Sequence, residues 1–250
     1  MKRFFFPLLT VFLTGLAASR SFGQSLQLHE DLRHSVDPKH SNKNFLTLYF
    51  EYYKAQDSGK AFFKPGSFLL KMQADFVGQQ SNMGKYYMQV SQSFRCWTPK
   101  IFLNLQYSGG LGITEPKQYS YYIENTFSAG LAYPFQWLGG YWSAVLNYKY
   151  LPYAKPSHDP LFTLYWWKGL ANYKVEVLGD FSAWTENRDH GDDLTKSLRG
   201  KQFSFFAEPQ VWYNLNKTIA MGIKGNVFYH INTTADQWQV YPTVAVRAKL

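Results

Sequence analysis

Charged and aromatic residues that could bind a small polar solute recur at alternate positions of strand-like segments. The segment KVEVLGDFSAW (174–184) places Lys174, Glu176 and Asp180 on one set of alternate positions and mainly apolar residues on the other. Successive side chains of a strand point to opposite faces, so each segment would collect its polar groups on one face. Carboxylates can hydrogen-bond hydroxyl groups, and aromatic rings can stack on a base or a sugar ring. The candidate binding residues found in this way are Asp31, Glu51, Tyr53, Asp75, Arg95, Glu124, Lys174, Glu176, Asp180, Trp184, Glu208 and Trp212.

Residues typical of enzymatic or metal chemistry are sparse. The six histidines have no metal-ligand spacing, and the glycines of YSGGLG lack the spacing and the following helix of a phosphate loop. The pairs His34–Ser35 and His40–Ser41 lie in or beside a loop, without an oxyanion-forming turn. The acidic segment ENRDHGDD could bind Ca²⁺ loosely or be a solvated loop. We predict no catalytic residue, no metal site and no cofactor, and we expect that the protein is not an enzyme.

Alternating polar and apolar segments follow one another along the whole chain after the first residues. Aromatic residues (19%) outnumber charged residues (17%), which favours strands over helices. An even number of strands, most with at least the roughly 9–11 residues that a tilted spanning strand needs, is typical of single-chain outer-membrane barrels. We predict twelve antiparallel strands, at 25–34, 44–54, 67–77, 85–97, 101–110, 119–133, 137–151, 161–170, 173–184, 202–214, 218–230 and 239–250.

The connections between these strands alternate between long and short, as outer loops and periplasmic turns do in outer-membrane barrels. Two connections do not follow the alternation: 55–66 is long where a short turn is expected, and 78–84 is short where a long loop is expected. The pattern predicts that the loop 185–201 lies on the outer side.

The alternation leaves open which face of the strands points inward. In a soluble barrel or sandwich the apolar face would be inside, whereas in an outer-membrane barrel it would face lipid. The apolar faces are uninterrupted, as in Phe68, Leu70 and Met72, while the opposite faces mix charges with Tyr and Trp. This contrast favours a lipid-facing exterior and a polar lumen.

The first residues are predicted to be a secretory signal peptide, residues 1–23, followed by one barrel domain, residues 24–250. MKR supplies the positive start, an apolar run follows, and Ser21 and Gly23 suit a cleavage site. An N-terminal anchor is the alternative, but the run is shorter than the ~20 residues of a spanning helix. The formal net charge is +9, without a Lys/Arg run that would indicate nucleic acid binding. We expect a monomer in the outer membrane of a Gram-negative bacterium, with membrane lipid as a partner.

Several segments carry a resemblance to a known family. EPQVWYNL (208–215) is the most specific of them. The last residue is Leu250, whereas outer-membrane barrels usually end in Phe or Trp. With these segments the chain resembles exported barrels catalogued as a domain of unknown function and related to the nucleoside-specific channel-forming (Tsx-like) outer-membrane proteins. The resemblance implies a twelve-stranded barrel and a channel for nucleosides or other small solutes. The segments are LQLHEDLRH, LYFEYYKAQDSGKAFF, MQADF, YSGGLG, LGDFSAW, EPQVWYNL and YPTVAVRAKL.

Two functions are compatible with a barrel of this kind. The first is an outer-membrane channel for passive uptake of small polar solutes, with nucleosides as one candidate. The alternative is a structural or surface-binding barrel that does not transport. In that case an internal salt-bridge network, for example Arg95 or Lys174 with neighbouring acids, would plug the lumen.

Overall fold

The computed structural model describes residues 23–55, 64–95, 100–114, 117, 119–193, 195–231 and 235–250. Within these residues, thirteen strand segments form one antiparallel sheet. A helical turn at Arg33–Val36 and a 3₁₀ turn at Gln79–Ser81 lie in two of the connections. The strands are β1 (Gln24–Asp31), β2 (Phe45–Lys54), β3 (Lys64–Asp75), β4 (Lys85–Arg95), β5 (Phe102–Ile113), β6 (Ser120–Trp137), β7 (Gly140–Leu151), β8 (Ser157–Leu170), β9 (Val175–Asn187), β10 (Lys201–Ala207), β11 (Gln210–Asn214), β12 (Ile219–Tyr229) and β13 (Trp238–Lys249).

The sheet closes on itself into a barrel. From β1 to β9 each strand pairs with its neighbour in the sequence, and β13 pairs with both β12 and β1. β10 and β11 both pair with β9 and with β12, so they are two halves of one interrupted strand. The barrel therefore has twelve strand positions, and the predicted twelve-stranded antiparallel barrel is confirmed. Closure leaves no unpaired sheet edge among the described strands.

The two faces of the barrel differ in chemistry. Leu131 and Leu146 are half exposed on the outside, where they form a cross-strand pair. Asn104, Asn147 and Lys149 are buried on the inside. The apolar faces of the strands thus point outward and the polar faces point inward, as the strand pattern favoured.

Turns of two to four residues join β6 to β7, β8 to β9 and β11 to β12 at one end of the barrel, and the connections at the other end have at least five residues. The connection 55–63, at the end with the short turns, is long, as the sequence indicated. The short turns at 138–139 and 171–174 contain non-glycine residues with positive φ, among them Leu138 and Asn172. The connections 32–44 and 188–200 at the opposite end are longer, with thirteen residues each. No described helix has the length and apolarity needed to span a membrane. Residues 1–22 of the predicted signal peptide lie outside the described residues.

The interruption between β10 and β11 depends on a close backbone approach. The Glu208 N–H donates to the Asp180 carbonyl at 2.9 Å, and the Gly225 N–H donates to the Pro209 carbonyl at 2.9 Å. Proline has no N–H for the sheet, which accounts for the break at this position. A Cβ atom added to Gly179 would lie 2.6 Å from the Glu208 carbonyl oxygen. Gly179 therefore allows the close approach of residues 208–209 between β10 and β11, which we call the bulge. The bulge brings Glu208 to the lumen.

Substituting this glycine tests the bulge. We expect Gly179→Ala to lower the free energy of unfolding by about 1–3 kcal/mol, because the new methyl group overpacks against backbone. Gly225→Ala is the matched control, since its Cβ would meet only Pro209 Cγ at 3.8 Å. Urea unfolding of the refolded barrels, followed by tryptophan fluorescence, measures both. Equal losses in the two variants would contradict the close approach.

Candidate functional site in the barrel lumen

Three buried charged residues meet at mid-height of the lumen. Lys71, in the middle of β3, donates from Nζ to carboxylate oxygens of both Asp180, in β9, and Glu208, in the bulge. All three side chains are more than nine-tenths buried. β3 and β9 are six positions apart in a ring of twelve, so they face each other across the bore. The Lys71 side chain therefore spans the lumen and constricts it.

Further polar groups extend this central cluster along the wall. Lys224 Nζ donates to Glu208 Oε2 at 3.1 Å and lies 4.9 Å from the centre of the Tyr49 ring. The Tyr49 hydroxyl donates to Glu51 Oε2 at 3.3 Å. Buried charges are tolerated when they are paired and hydrogen-bonded, and these contacts meet that condition.

A second cluster lies on the same wall, closer to the short turns. Glu176 accepts hydrogen bonds from Arg247 and from Lys249 Nζ, the latter at 2.6 Å. The Arg247 guanidinium carbon lies 4.5 Å from the centre of the Trp212 ring, and Trp212 is completely buried. The Trp212 indole N–H donates to Gln210 at 2.9 Å. Trp212 and Glu176 thus hold Arg247 against the wall.

A third cluster lies toward the long connections. Lys149 Nζ is 3.4 Å from Glu124 Oε1 and 4.2 Å from the centre of the Trp184 ring. The Tyr87 hydroxyl donates to Glu124 at 3.1 Å, and the Trp184 N–H donates to Glu186 at 3.0 Å. This half of the lumen is therefore also crossed by side-chain contacts between strands.

Two predicted residues have local partners near the long connections. Asp31 accepts two hydrogen bonds from the Arg33 side chain, at 2.9 and 2.8 Å. Asp75 accepts from the Thr47 hydroxyl and from Gln73, both at 2.8 Å. These carboxylates are buried and do not reach the central cluster.

The remaining predicted residues lie toward the short turns. Tyr53 is partly exposed on the rim of the cavity, and Arg95 lines the cavity with its guanidinium over the Phe102 ring at 5.5 Å. Lys174 differs from the expectation that it lines the lumen. β9 begins only at Val175, so Lys174 belongs to the turn and places its amine 5.2 Å from the centre of the outward Tyr213 ring.

A large cavity opens at the end that carries the short turns. We call it the vestibule; its volume is about 1870 Å³, and it extends from the rim to Lys71 and Asp180. Sequence reasoning missed Lys71, although it stands on the polar face of β3 in the series Leu69, Lys71, Gln73. Other lining residues absent from the prediction are Lys100, Phe102, Tyr141, Tyr165, Trp167, Lys217, Arg247 and Lys249.

The long connection 188–200 has its own contacts. Lys155 Nζ donates to Asp189 at 2.8 Å, and the His190 ring stacks on Tyr153 with 4.3 Å between centroids. The Lys155 hydrogen bond, aided by the Gly191 N–H, holds the pKa of Asp189 below its ordinary value. Among the described residues, no group of three or more His, Cys, Asp or Glu side chains is arranged to hold a metal ion.

A closed antiparallel barrel with an apolar exterior and a polar lumen is the architecture of porin-like proteins. The NanC porin has this fold in common with the chain: the TM-score is 0.52 at 8% identity, covering 91% of this chain and 100% of that one. LpxR from Salmonella typhimurium gives a TM-score of 0.42 at 9% identity, with 91% and 100% covered. The outer membrane protein Omp33 of Acinetobacter baumannii gives 0.37 at 11% identity, with 92% and 98% covered.

The chain belongs to the family described as a domain of unknown function, DUF5020, which matches residues 23–250. This confirms the part of the predicted resemblance that concerns the uncharacterised family. The relationship to Tsx-like channels stays a prediction. Among curated protein sequences, none matches the chain.

Proposed function

We propose that the protein is an outer-membrane channel for the passive uptake of small polar solutes. The observation that carries the proposal is the combination of a lipid-compatible exterior with a large polar vestibule inside the same barrel. The two features need each other, because an apolar exterior requires a membrane and a polar interior requires water.

The exterior supports the location in a membrane. Its middle is a belt of exposed aliphatic side chains that includes Leu131, Leu146 and Val246. Exposed aromatic rings lie near both ends of the barrel, as in the girdles at lipid–water interfaces. They are Tyr133, Trp137 and Tyr213 toward the short turns and Tyr148, Phe203 and Trp238 toward the long connections.

The vestibule supports the transport of a solute. A volume of about 1870 Å³ can hold a nucleoside-sized molecule with its water. Glu51 could accept hydrogen bonds from sugar hydroxyls, and the Phe102 and Tyr165 rings could contact a base. Nucleosides are therefore the first solutes to examine.

One observation favours the alternative, a plugged barrel without transport. The contacts of Lys71 with Asp180 and Glu208 cross the bore, so the lumen is constricted at mid-height. A channel with this structure would conduct weakly or would open by releasing Lys71 from one of its partners. The two functions differ in whether ions cross the purified barrel.

Single-channel recording in planar bilayers tests the proposal. We expect discrete conductance steps in KCl, and a decrease in ion current when a nucleoside such as uridine occupies the vestibule. Liposome swelling with uridine gives an independent measure of permeation. A barrel that inserts and yields neither steps nor swelling would refute the channel and favour the plugged form.

A further inference from the structure

The side chains of the vestibule carry unequal numbers of positive and negative charges. Among the described lining residues, six are cationic and three are carboxylates, which leaves an excess of three cations. A cavity lined by one sign of charge concentrates ions of the opposite sign. The cationic residues are Lys71, Arg95, Lys100, Lys217, Arg247 and Lys249, and the acidic ones are Glu51, Glu176 and Asp180.

Most of the buried cations already have carboxylate partners. Lys71 is bound to Asp180, and Arg247 and Lys249 are bound to Glu176. Arg95 differs, because in the described part of the chain it forms no ion pair. Its Nε, like that of Arg247, is a buried donor without a hydrogen-bond partner. Arg95 lines the vestibule directly, so its guanidinium is available to an anion that enters.

Aromatic rings accompany Arg95 in the vestibule. The guanidinium carbon lies 5.5 Å from the centre of the Phe102 ring. Tyr165 lines the same cavity deeper in the lumen, and Tyr141 and Trp167 lie nearer the rim with 5.9 Å between ring centroids. These rings offer apolar faces to the cyclic part of a solute.

We propose that the vestibule binds small anions with a cyclic body, with a phosphate or carboxylate group on Arg95 and the ring against the aromatic residues of the wall. This inference deepens the proposed function and rests on it for the direction of transport, although binding itself does not require conduction. It predicts that a charged derivative is bound in preference to the neutral nucleoside.

A matched pair of solutes tests the proposal on the full-length barrel in detergent. Uridine and uridine 5′-monophosphate share a ring system and differ by the phosphate, so titration calorimetry separates the two contributions. At low ionic strength we expect the monophosphate to bind about tenfold more tightly, a ratio in keeping with a charge-assisted contact of about 1.4 kcal/mol. Inorganic phosphate alone should bind more weakly than the monophosphate.

Two variants locate the contact. Arg95→Gln should remove most of the preference for the monophosphate, while Lys196→Gln should retain it, because Lys196 pairs with Asp193 in an outer loop. Equal binding of uridine and its monophosphate by the unmodified protein would overturn the proposal. So would a preference that persists in Arg95→Gln.

Ion selectivity separates failure of this inference from failure of the channel. In a KCl gradient, the reversal potential of a conducting barrel should indicate selectivity for chloride. Conductance with cation selectivity would leave the channel standing and reject the anion site. Absence of conductance would reject the channel, and calorimetry would still decide whether the anion binds.

Discussion

Lys71→Ala is expected to raise the single-channel conductance and to shift selectivity toward cations. The substitution removes the side chain that spans the bore between β3 and β9, and it leaves Asp180 and Glu208 without their shared amine. Two buried carboxylates that lose a partner also destabilise the fold. The free energy of unfolding should fall by about 3–5 kcal/mol, the range for breaking a buried ion pair.

A second variant keeps this prediction testable if Lys71→Ala folds poorly. Glu208 keeps its pair with Lys224 in Lys71→Ala, whereas Asp180 loses its ion-pair partner. The double substitution Lys71→Ala/Asp180→Asn neutralises Asp180 and should therefore recover part of the lost stability. Lys196→Ala is the matched control, since its exposed amine pairs with the exposed Asp193 in the connection between β9 and β10. Surface pairs contribute about 0–1 kcal/mol, so this variant should retain both stability and conductance. If conductance of the double variant stays at the unmodified level, Lys71 does not form the constriction.

Much of the barrel could be predicted from the sequence because period-two alternation is a local property. β7 lies within the predicted strand 137–151, and its last residue is the predicted one. The errors in the predicted strand boundaries also have local causes. β8 begins at Ser157, before Pro160, whereas the prediction started at residue 161, because proline in a strand interior normally argues against a strand. β10 and β11 were predicted as one strand, and the break at Pro209 depends on the approach of Gly179.

The candidate site was only partly predictable, for a reason that lies in the closure of the barrel. Alternation assigned Asp180 and Glu208 to the inner face, but it gave no information on their partners. Lys71 is 109 residues from Asp180 in the sequence. The two residues face each other only because β3 and β9 are six positions apart in a closed ring of twelve strands. Asp159 was missed because the prediction placed it in a loop, whereas it is buried in β8 and bound by Lys201. Lys174 was assigned to the lumen because alternation does not show where a strand gives way to a turn.

The second large effect is expected on the outer surface. Leu146→Arg should reduce the stability of the inserted barrel by about 2–4 kcal/mol, the cost of an arginine facing the middle of a bilayer. Leu146 lies in the central part of β7, is 59% exposed, and has Leu131 and Phe162 as its cross-strand neighbours. None of these neighbours can pair with a guanidinium. Urea titration of the barrel in lipid vesicles, read by the electrophoretic mobility of unheated samples, measures the change.

Leu138→Arg is the matched control, because it places an arginine on the outer surface near the end of the barrel. Leu138 is also exposed, at 66%, but it lies in the short turn between β6 and β7, at the level of the aromatic residue Trp137. An arginine there can reach water and head groups, so the cost should be about 0–1 kcal/mol. In a barrel surrounded by water, both arginines would be harmless, because each side chain would be solvated. A large difference between the two variants therefore requires hydrocarbon around the middle of the barrel, and equal, small effects would remove the basis for membrane insertion and for transport through the lumen.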